Sequence, residues 1–227
     1  MKRSEINQCI RELEALVQEN GCHLPPFCGW TPEEWQEKGH EYDEIRDTML
    51  GWDITDFGLG NWEKTGFALI TLRNGKAGDP RYPKPYAEKL LMLRDGQHAP
   101  MHFHWYKTED IINRGGDTLI IHVWCADKEE RPSEQPVMVQ SDGRRYTVPA
   151  GTGIVLRPGE SVTLPDHQYH DFDVVPGTGT VLIGEVSMCN DDNIDNRFYP
   201  PVGRFPVIEE DEVPYRLLCS EYPPAKD

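Results

Sequence analysis

Two histidines and one acid stand out at the spacing G-x5-H-x-H-x4-E-x6-G: His102, His104 and Glu109, bracketed by Gly96 and Gly116. Side chains alternate along a strand, so His102 and His104 share a face. A carboxylate five residues after the second histidine can close round the same point if the strand bends or turns. Two imidazoles and a carboxylate, with positions left open, suit a divalent first-row metal that must also meet a substrate. An H-x-H alone is as often core filling as a ligand pair. The downstream acid and the two glycines tip the reading towards a metal site.

Those residues resemble the first motif of the cupin superfamily, small barrels of jelly-roll type in which antiparallel sheets enclose a pocket. The resemblance implies a fourth ligand, a histidine from a second motif. The segment Arg157-Pro-Gly-Glu-Ser-Val-Thr-Leu-Pro165-Asp-His-Gln-Tyr-His170-Asp-Phe172 is similar to that motif. His170 is the better candidate for the ligand, because the cupin histidine opens a strand a few residues after the proline. His167 is its rival, and otherwise a loop residue near the pocket mouth.

Elements able to position these groups can be read along the chain. Residues 4–20 carry Ile6, Cys9, Ile10, Leu13, Leu16 and Val17 at helical spacing, with Ser4 as the cap and Gly21 as the stop. Thr31-Pro-Glu-Glu34 is a second helix start with a capping box. Both helices are expected to pack on the outside of a barrel. Strands are expected at 53–57, 67–73, 86–93, 118–123, 145–148, 153–156, 161–164, 171–175 and 181–186, with turns at Asn74-Gly75, Asp142-Gly143 and Pro176-Gly177. No internal repeat or linker interrupts this pattern. The expected architecture is mainly β: one cupin domain over 1–227, with a helical extension (1–50), a barrel core (51–190) and a closing C-terminal arm (191–227).

The composition bounds the partners. A chain of 227 residues can bury a substantial core, and 19 Pro with 20 Gly suit a structure of many turns. The formal net charge of -16 argues against a nucleic-acid partner, whose phosphates call for a basic surface. No apolar run reaches membrane-spanning length, and the N-terminus does not read as a signal peptide. Cys9, Cys22, Cys28, Cys125, Cys189 and Cys219 form no regular framework, so reduced thiols and a cytoplasmic location are expected.

A cupin motif does not by itself give a function, because the fold hosts many chemistries. Over its full length, however, the chain resembles the D-lyxose isomerase family. The resemblance rests on Met101-His-Phe-His-Trp-Tyr-Lys-Thr-Glu-Asp110 continuing to Asn113, on Pro158-Gly-Glu-Ser-Val-Thr-Leu164, on Gly184-Glu-Val-Ser187 and on Gly203-Arg-Phe-Pro-Val-Ile-Glu-Glu-Asp-Glu212. The opening helix and Leu24-Pro-Pro-Phe27 with Trp30 add to it. It implies interconversion of D-lyxose and D-xylulose, with D-mannose to D-fructose as a related reaction. It also implies a divalent metal, commonly Mn2+ with Zn2+, Fe2+ or Co2+ as alternatives, and a homodimer.

Aldose–ketose isomerisation moves a hydrogen between C1 and C2, which calls for a base and for stabilisation of an enediolate. Glu185, a charged residue within Leu182-Ile-Gly-Glu-Val186, is the expected base. Lys107 is expected to move protons on the oxygens, although its parity is opposite to that of the histidine pair unless the chain bends before Glu109. Lys89, on the strand entering the first motif, could hold a sugar hydroxyl. Asp171 could stand behind the ligand His170 or face solvent. Trp105, Tyr106, Trp124, Tyr169 and Phe172 could shape a pocket or fill the core. The rival readings are an Fe2+ cupin dioxygenase with the same ligands, a non-catalytic sugar-binding cupin, and a phosphosugar isomerase in which Arg144, Arg145 or Arg157 holds the phosphate.

Overall fold

The computed structural model describes residues 1–226. Helix α1 (Arg3–Glu19) and the short helices α2 (Pro32–Trp35) and α3 (Asp43–Asp47) come first. They lead into β1 (Gly51–Thr55), β2 (Phe67–Arg73), β3 (Tyr86–Leu93), β4 (His98–Phe103), β5 (Glu109–Gly116), β6 (Leu119–Ala126) and β7 (Pro132–Ser133). The chain continues through β8 (Val137–Ser141), β9 (Arg144–Val148), β10 (Thr152–Leu156), β11 (Ser161–Leu164), β12 (Gln168–Val174), β13 (Val181–Met188) and β14 (Arg197–Phe198). One sheet has the order β1-β2-β3-β13-β5-β11-β8-β9, and the other β10-β6-β12-β4-β14 with β7 beside β6. Neighbouring strands are antiparallel throughout, as expected for a cupin-type barrel.

The two sheets bury a common apolar core that includes Leu69, Leu91, Ile111 and Ile183 from the larger sheet and Ile121, Val123, Ile154 and Phe172 from the smaller. Strand β2 is apolar on both faces because both are covered. Phe67 and Leu69 point between the sheets, while Ala68 and Ile70 join a second core under α1. The helix presents Ile6, Cys9, Ile10, Leu13 and Val17 to that second core, all buried, which is the outside-of-barrel packing its 3.6-residue periodicity implies.

The local signals hold in part. The helix ends where Gly21 adopts φ +70, with Gly21 N–H donating to Gln18 and Cys22 N–H to Val17, the bond pattern of a Schellman stop. Thr31 and Glu34 form the expected capping box. Ser4 does not cap α1. The helix begins at Arg3, and Ser4 gives its backbone N–H and hydroxyl to Asp211 in the C-terminal segment. Asn74-Gly75 does not make a turn either. The β2–β3 connection runs over residues 74–85, and the buried Asn74 amide donates to the carbonyls of Thr48 and Asn190.

The C-terminal segment is latched to the helix. Arg3 pairs with Glu210 at 2.7 Å and also with Glu221, and Asn7 donates to Glu212 and Val213. Leu218 is buried in the core under α1, and Cys219 N–H donates to Trp52. All six cysteines are free thiols. Among the described residues, no helix is long and apolar enough to cross a membrane.

Candidate active site

Five strands aim polar side chains into the space between the sheets. His102 and the adjoining His104 come from the end of β4, Glu109 opens β5, His170 lies in β12, Lys89 in β3 and Glu185 in β13. Register explains the convergence. His170 faces His102 across the β12–β4 pair, and Lys89 faces Glu185 across β3–β13. The bracketing glycines allow the turns. Gly96 has φ +78 in the β3–β4 connection, and at Gly116 (φ +80) a Cβ would lie 2.2 Å from the Thr180 carbonyl oxygen.

The three rings are held alike. His102 Nδ1 lies 2.9 Å from the Pro100 carbonyl, His104 Nδ1 2.5 Å from that of Asp195, and His170 Nδ1 3.0 Å from that of Gln168. A carbonyl only accepts, so each Nδ1 carries the proton and each Nε2 presents a lone pair. Potential ligand atoms of the three rings all lie within 4.8 Å of one another. The Glu109 carboxylate closes the group, with Oε1 3.1 Å from His170 Nε2 and Oε2 3.5 Å from His104 Nε2. Nε2 of His104 and of His170 are buried without a hydrogen-bond partner. Lone pairs facing a carboxylate at these distances repel unless a cation sits between them. The donor set, two or three imidazoles and a carboxylate, therefore fits a divalent first-row ion. Burial, reinforced by the neighbouring His170 and His104, holds His102 well below the ordinary imidazole range, in the neutral form a ligand needs.

Lys107 stands beside this group. Residues 105–108 leave the strand path between β4 and β5, and the break resets the parity, so Lys107 and Glu109 both turn inward. Its Nζ lies 2.8 Å from Glu109, 2.9 Å from Glu185 and 3.2 Å from Asn190 Oδ1. Burial alone would lower its pKa, but Glu109, Glu185 and Asp192 outweigh it and hold the ammonium charged. Burial likewise pushes Glu109 up, while the Lys107 ammonium holds it well below the usual carboxylate range. Lys89 Nζ lies 2.7 Å from Asn190 Oδ1 and 3.3 Å from Glu185. The polar contacts of Glu185, with Lys107, Lys89 and Ser187, all fall on Oε1.

Several groups here follow no strand or helix period in the sequence. Asn190, Asp192, Asp195 and Arg204 come from the irregular chain after β13. Arg204 pairs with Asp53 at 2.5 Å and Asp192 at 2.7 Å, and its Nη1 is buried without a partner beside the cavity. The Asp195 carboxylate accepts the backbone N–H groups of Trp105 (2.7 Å), Tyr106 (3.1 Å) and Lys107 (3.1 Å). That one residue thus orients His104 through its carbonyl and shapes the Lys107 turn through its side chain. The cavity among these groups is about 50 Å³, and its apolar wall is made by Phe57, Phe67, Phe172 and Phe198. A larger cleft of about 360 Å³ lies outside it, bordered by Tyr106, Asn190, Asp192 and Asp195.

Some expected residues lie elsewhere. His170 is the third residue of β12 and not its opening one; the rival His167 sits in the preceding turn with φ +57, stacked on Phe103 and beside Asp166. Asp171 stands on the opposite face from His170, as strand alternation dictates, and bonds His122 at 2.7 Å, so it is not behind the ligand. Of the aromatic candidates, Phe172 lines the cavity and Tyr106, 73% exposed, borders the outer cleft. Trp105 and Tyr169 instead bond Glu130, and Trp124 lies near His122 and Gly151. Arg144 and Arg145 lie on β9 and Arg157 in the β10–β11 turn, none of them lining the cavity.

The family profile described as D-lyxose isomerase matches residues 1–222. The chain belongs to the D-lyxose isomerase family. It is 46% identical over 223 residues to the D-lyxose/D-mannose isomerase of Escherichia coli O157:H7, with 98% of each chain covered, and equally so to that of Serratia proteamaculans. A more distant member, the D-lyxose ketol-isomerase of Cohnella laeviribosi, is 31% identical over 166 residues, spanning 70% of this chain and 82% of that protein. The fold is also that of solved L-ribose isomerases. The Cellulomonas parahominis enzyme with L-ribose superposes with a TM-score of 0.57 at 17% identity, covering 92% of this chain and 98% of its own. The Acinetobacter sp. DL28 enzyme gives 0.55 at 16%, covering 87% and 92%. In this family member, then, the imidazole–carboxylate cluster lies at the centre of the same barrel.

Proposed function

We propose that this protein is a metal-dependent aldose–ketose isomerase that converts D-lyxose to D-xylulose and D-mannose to D-fructose. The observation that carries the reading is the set of inward lone pairs on His104 and His170 facing Glu109, beside the buried Lys107–Glu185 pair, in a chain 46% identical to D-lyxose/D-mannose isomerases. His102, His104, Glu109 and His170 would hold the ion, Mn2+ first, with Zn2+, Fe2+ or Co2+ as alternatives. Bound there, a divalent ion supplies a Lewis acid that polarises the sugar carbonyl and stabilises the enediolate.

The remaining steps belong to the side chains. Glu185 takes the C2 proton and returns it to C1; its contacts on Oε1 leave Oε2 for the substrate. Lys107, held charged between two carboxylates, donates to and recovers a proton from the sugar oxygens. Lys89 steadies Glu185 and offers a donor to a sugar hydroxyl. The phenylalanine wall keeps water from the reacting carbons. The working form is a cytoplasmic homodimer with no nucleic-acid or membrane partner, testable by sedimentation analysis.

The experiment is an anaerobic NMR time course in D2O with metal-stripped protein, with and without added Mn2+, on D-lyxose, D-mannose and a phosphosugar. Metal-dependent ketose formation from the free sugars supports the reading, and deuterium at C1 supports proton transfer over a hydride shift. Conversion of the phosphosugar alone would replace the substrate class. No conversion, with O2 uptake on returning to air, would replace the isomerase by a dioxygenase.

A further inference from the structure

Beyond the barrel interior, a second cluster of metal-ligating side chains lies on the outer face of the smaller sheet. Strand β12 sends His170 and Phe172 inward and Asp171 and Asp173 outward, so the two carboxylates stand two residues apart on one face. Each is met by a histidine from a flanking strand. Asp173 lies opposite His98 of β4, and Asp171 opposite His122 of β6. His98 Nδ1 is 3.1 Å from Asp173 Oδ1, His122 Nδ1 is 2.7 Å from Asp171 Oδ1, and His122 Nδ1 is 3.6 Å from Asp173 Oδ2. The ligand atoms of His98, Asp171 and Asp173 lie within 4.8 Å of one another.

Three of these four side chains have ligand atoms close enough to begin a tetrahedral site. Bonds of about 2.1 Å to a Zn2+ ion set ligand atoms roughly 3.4 Å apart. The three nitrogen–oxygen distances bracket that value; His98, Asp171 and Asp173 already stand as one group, and His122, outside it, would turn in from its contact with Asp171. The charge pattern points the same way. Among the described residues, neither carboxylate pairs with a lysine or arginine; their ion partners are the two imidazoles. Two carboxylates two residues apart repel one another unless positive charge is placed between them. The His122 ring lies against Gly153, where a Cβ would come 3.2 Å from Nε2, so the neighbouring strand leaves the ring its room.

We propose that His98, His122, Asp171 and Asp173 form a second metal site, structural in kind, that takes a borderline divalent cation such as Zn2+ through two nitrogens and two oxygens. Four protein ligands leave no position for a substrate, which separates this site from the inner one. Its effect would be to tie β4, β12 and β6 together across the sheet that carries His102 and His170.

The test is the metal content of the full-length protein. Chelator-stripped chain is dialysed against Zn2+, and in parallel Co2+, and bound metal per chain is counted by mass spectrometry; Co2+ also reports tetrahedral geometry by its visible absorption. Two equivalents are expected for the wild type. The double variant His102→Ala/His170→Ala should retain the outer equivalent, and His98→Ala, His122→Ala and Asp173→Asn should each weaken it by roughly 100-fold or more, beyond the effect of losing a group that only supports a ligand. Near-ultraviolet circular dichroism checks that each variant is folded, and the wild-type count decides by itself if one is not. A single equivalent in the wild type at saturating metal, or a second that survives all three outer substitutions, overturns the proposal. Because the readout is stoichiometry, failure here leaves the isomerase reading standing, and loss of isomerase activity leaves this site standing.

Discussion

Asp195→Asn changes one atom's chemistry at the point where the C-terminal chain grips the site. The carboxylate accepts three backbone N–H groups, from Trp105 and Tyr106 on Oδ1 and from Lys107 on Oδ2. An amide oxygen can keep the first two. The amide nitrogen must then face the Lys107 N–H, donor against donor, within a buried turn. Leaving one buried donor unsatisfied costs about 1–3 kcal/mol. For a chain of this length each kcal/mol lowers Tm by about 2–4 °C, so the variant should melt about 2–12 °C lower. The His104 contact uses the Asp195 backbone carbonyl and survives the change, so metal content should stay at the wild-type level. Turnover should nevertheless fall by about 10- to 100-fold, because the turn that sets Lys107 against Glu185 loses its anchor, and displacements of the order of 1 Å carry penalties of that size. Calorimetry, metal analysis and steady-state ketose formation give the three readouts. A variant within about 1 °C of wild type in Tm and within about twofold in kcat would show that Asp195 does not position Lys107.

Two further outcomes are expected. Glu185→Gln should keep its metal and its fold but lose turnover by about 10²- to 10⁴-fold, the range for removing a general base; near-normal kcat would take Glu185 out of that role. Leu13→Ala, at the buried face of α1, should cost about 2–5 kcal/mol in urea unfolding with little change in KM, and a neutral result would mean that the helix is not held by its apolar stripe.

The histidine pair could be read from the chain because its signal is local: a period of two places His102 and His104 together without knowledge of any partner strand. Glu109 and Lys107 could be read only by admitting a break in the strand, and the break turns out to be the Trp105–Thr108 segment fastened by Asp195. The alternation that pairs His102 with His104 also settles Asp171, which must face the other way from His170. Asn190, Asp192, Asp195 and Arg204 left no trace in the pattern, because irregular chain has no period and its contacts span up to 151 residues, as from Arg204 to Asp53. Ser4 failed as a cap for the same reason, since Asp211 lies 207 residues away.

The segment from Asn190 to Asn196 borders both the outer cleft and the cavity of about 50 Å³. A sugar bound in either space meets that wall. Yet the wall also supplies the oxygen that fixes the His104 tautomer, the carboxylate that folds the Lys107 turn, and the amide shared by Lys89 and Lys107. Wall and machinery are one piece of chain. Displacing that piece would loosen the proton-handling groups with it, and a sugar that leaves Asp195 on its three N–H groups keeps them in place. Asp195 thus bears on the choice of sugar from behind the turn that carries Lys107.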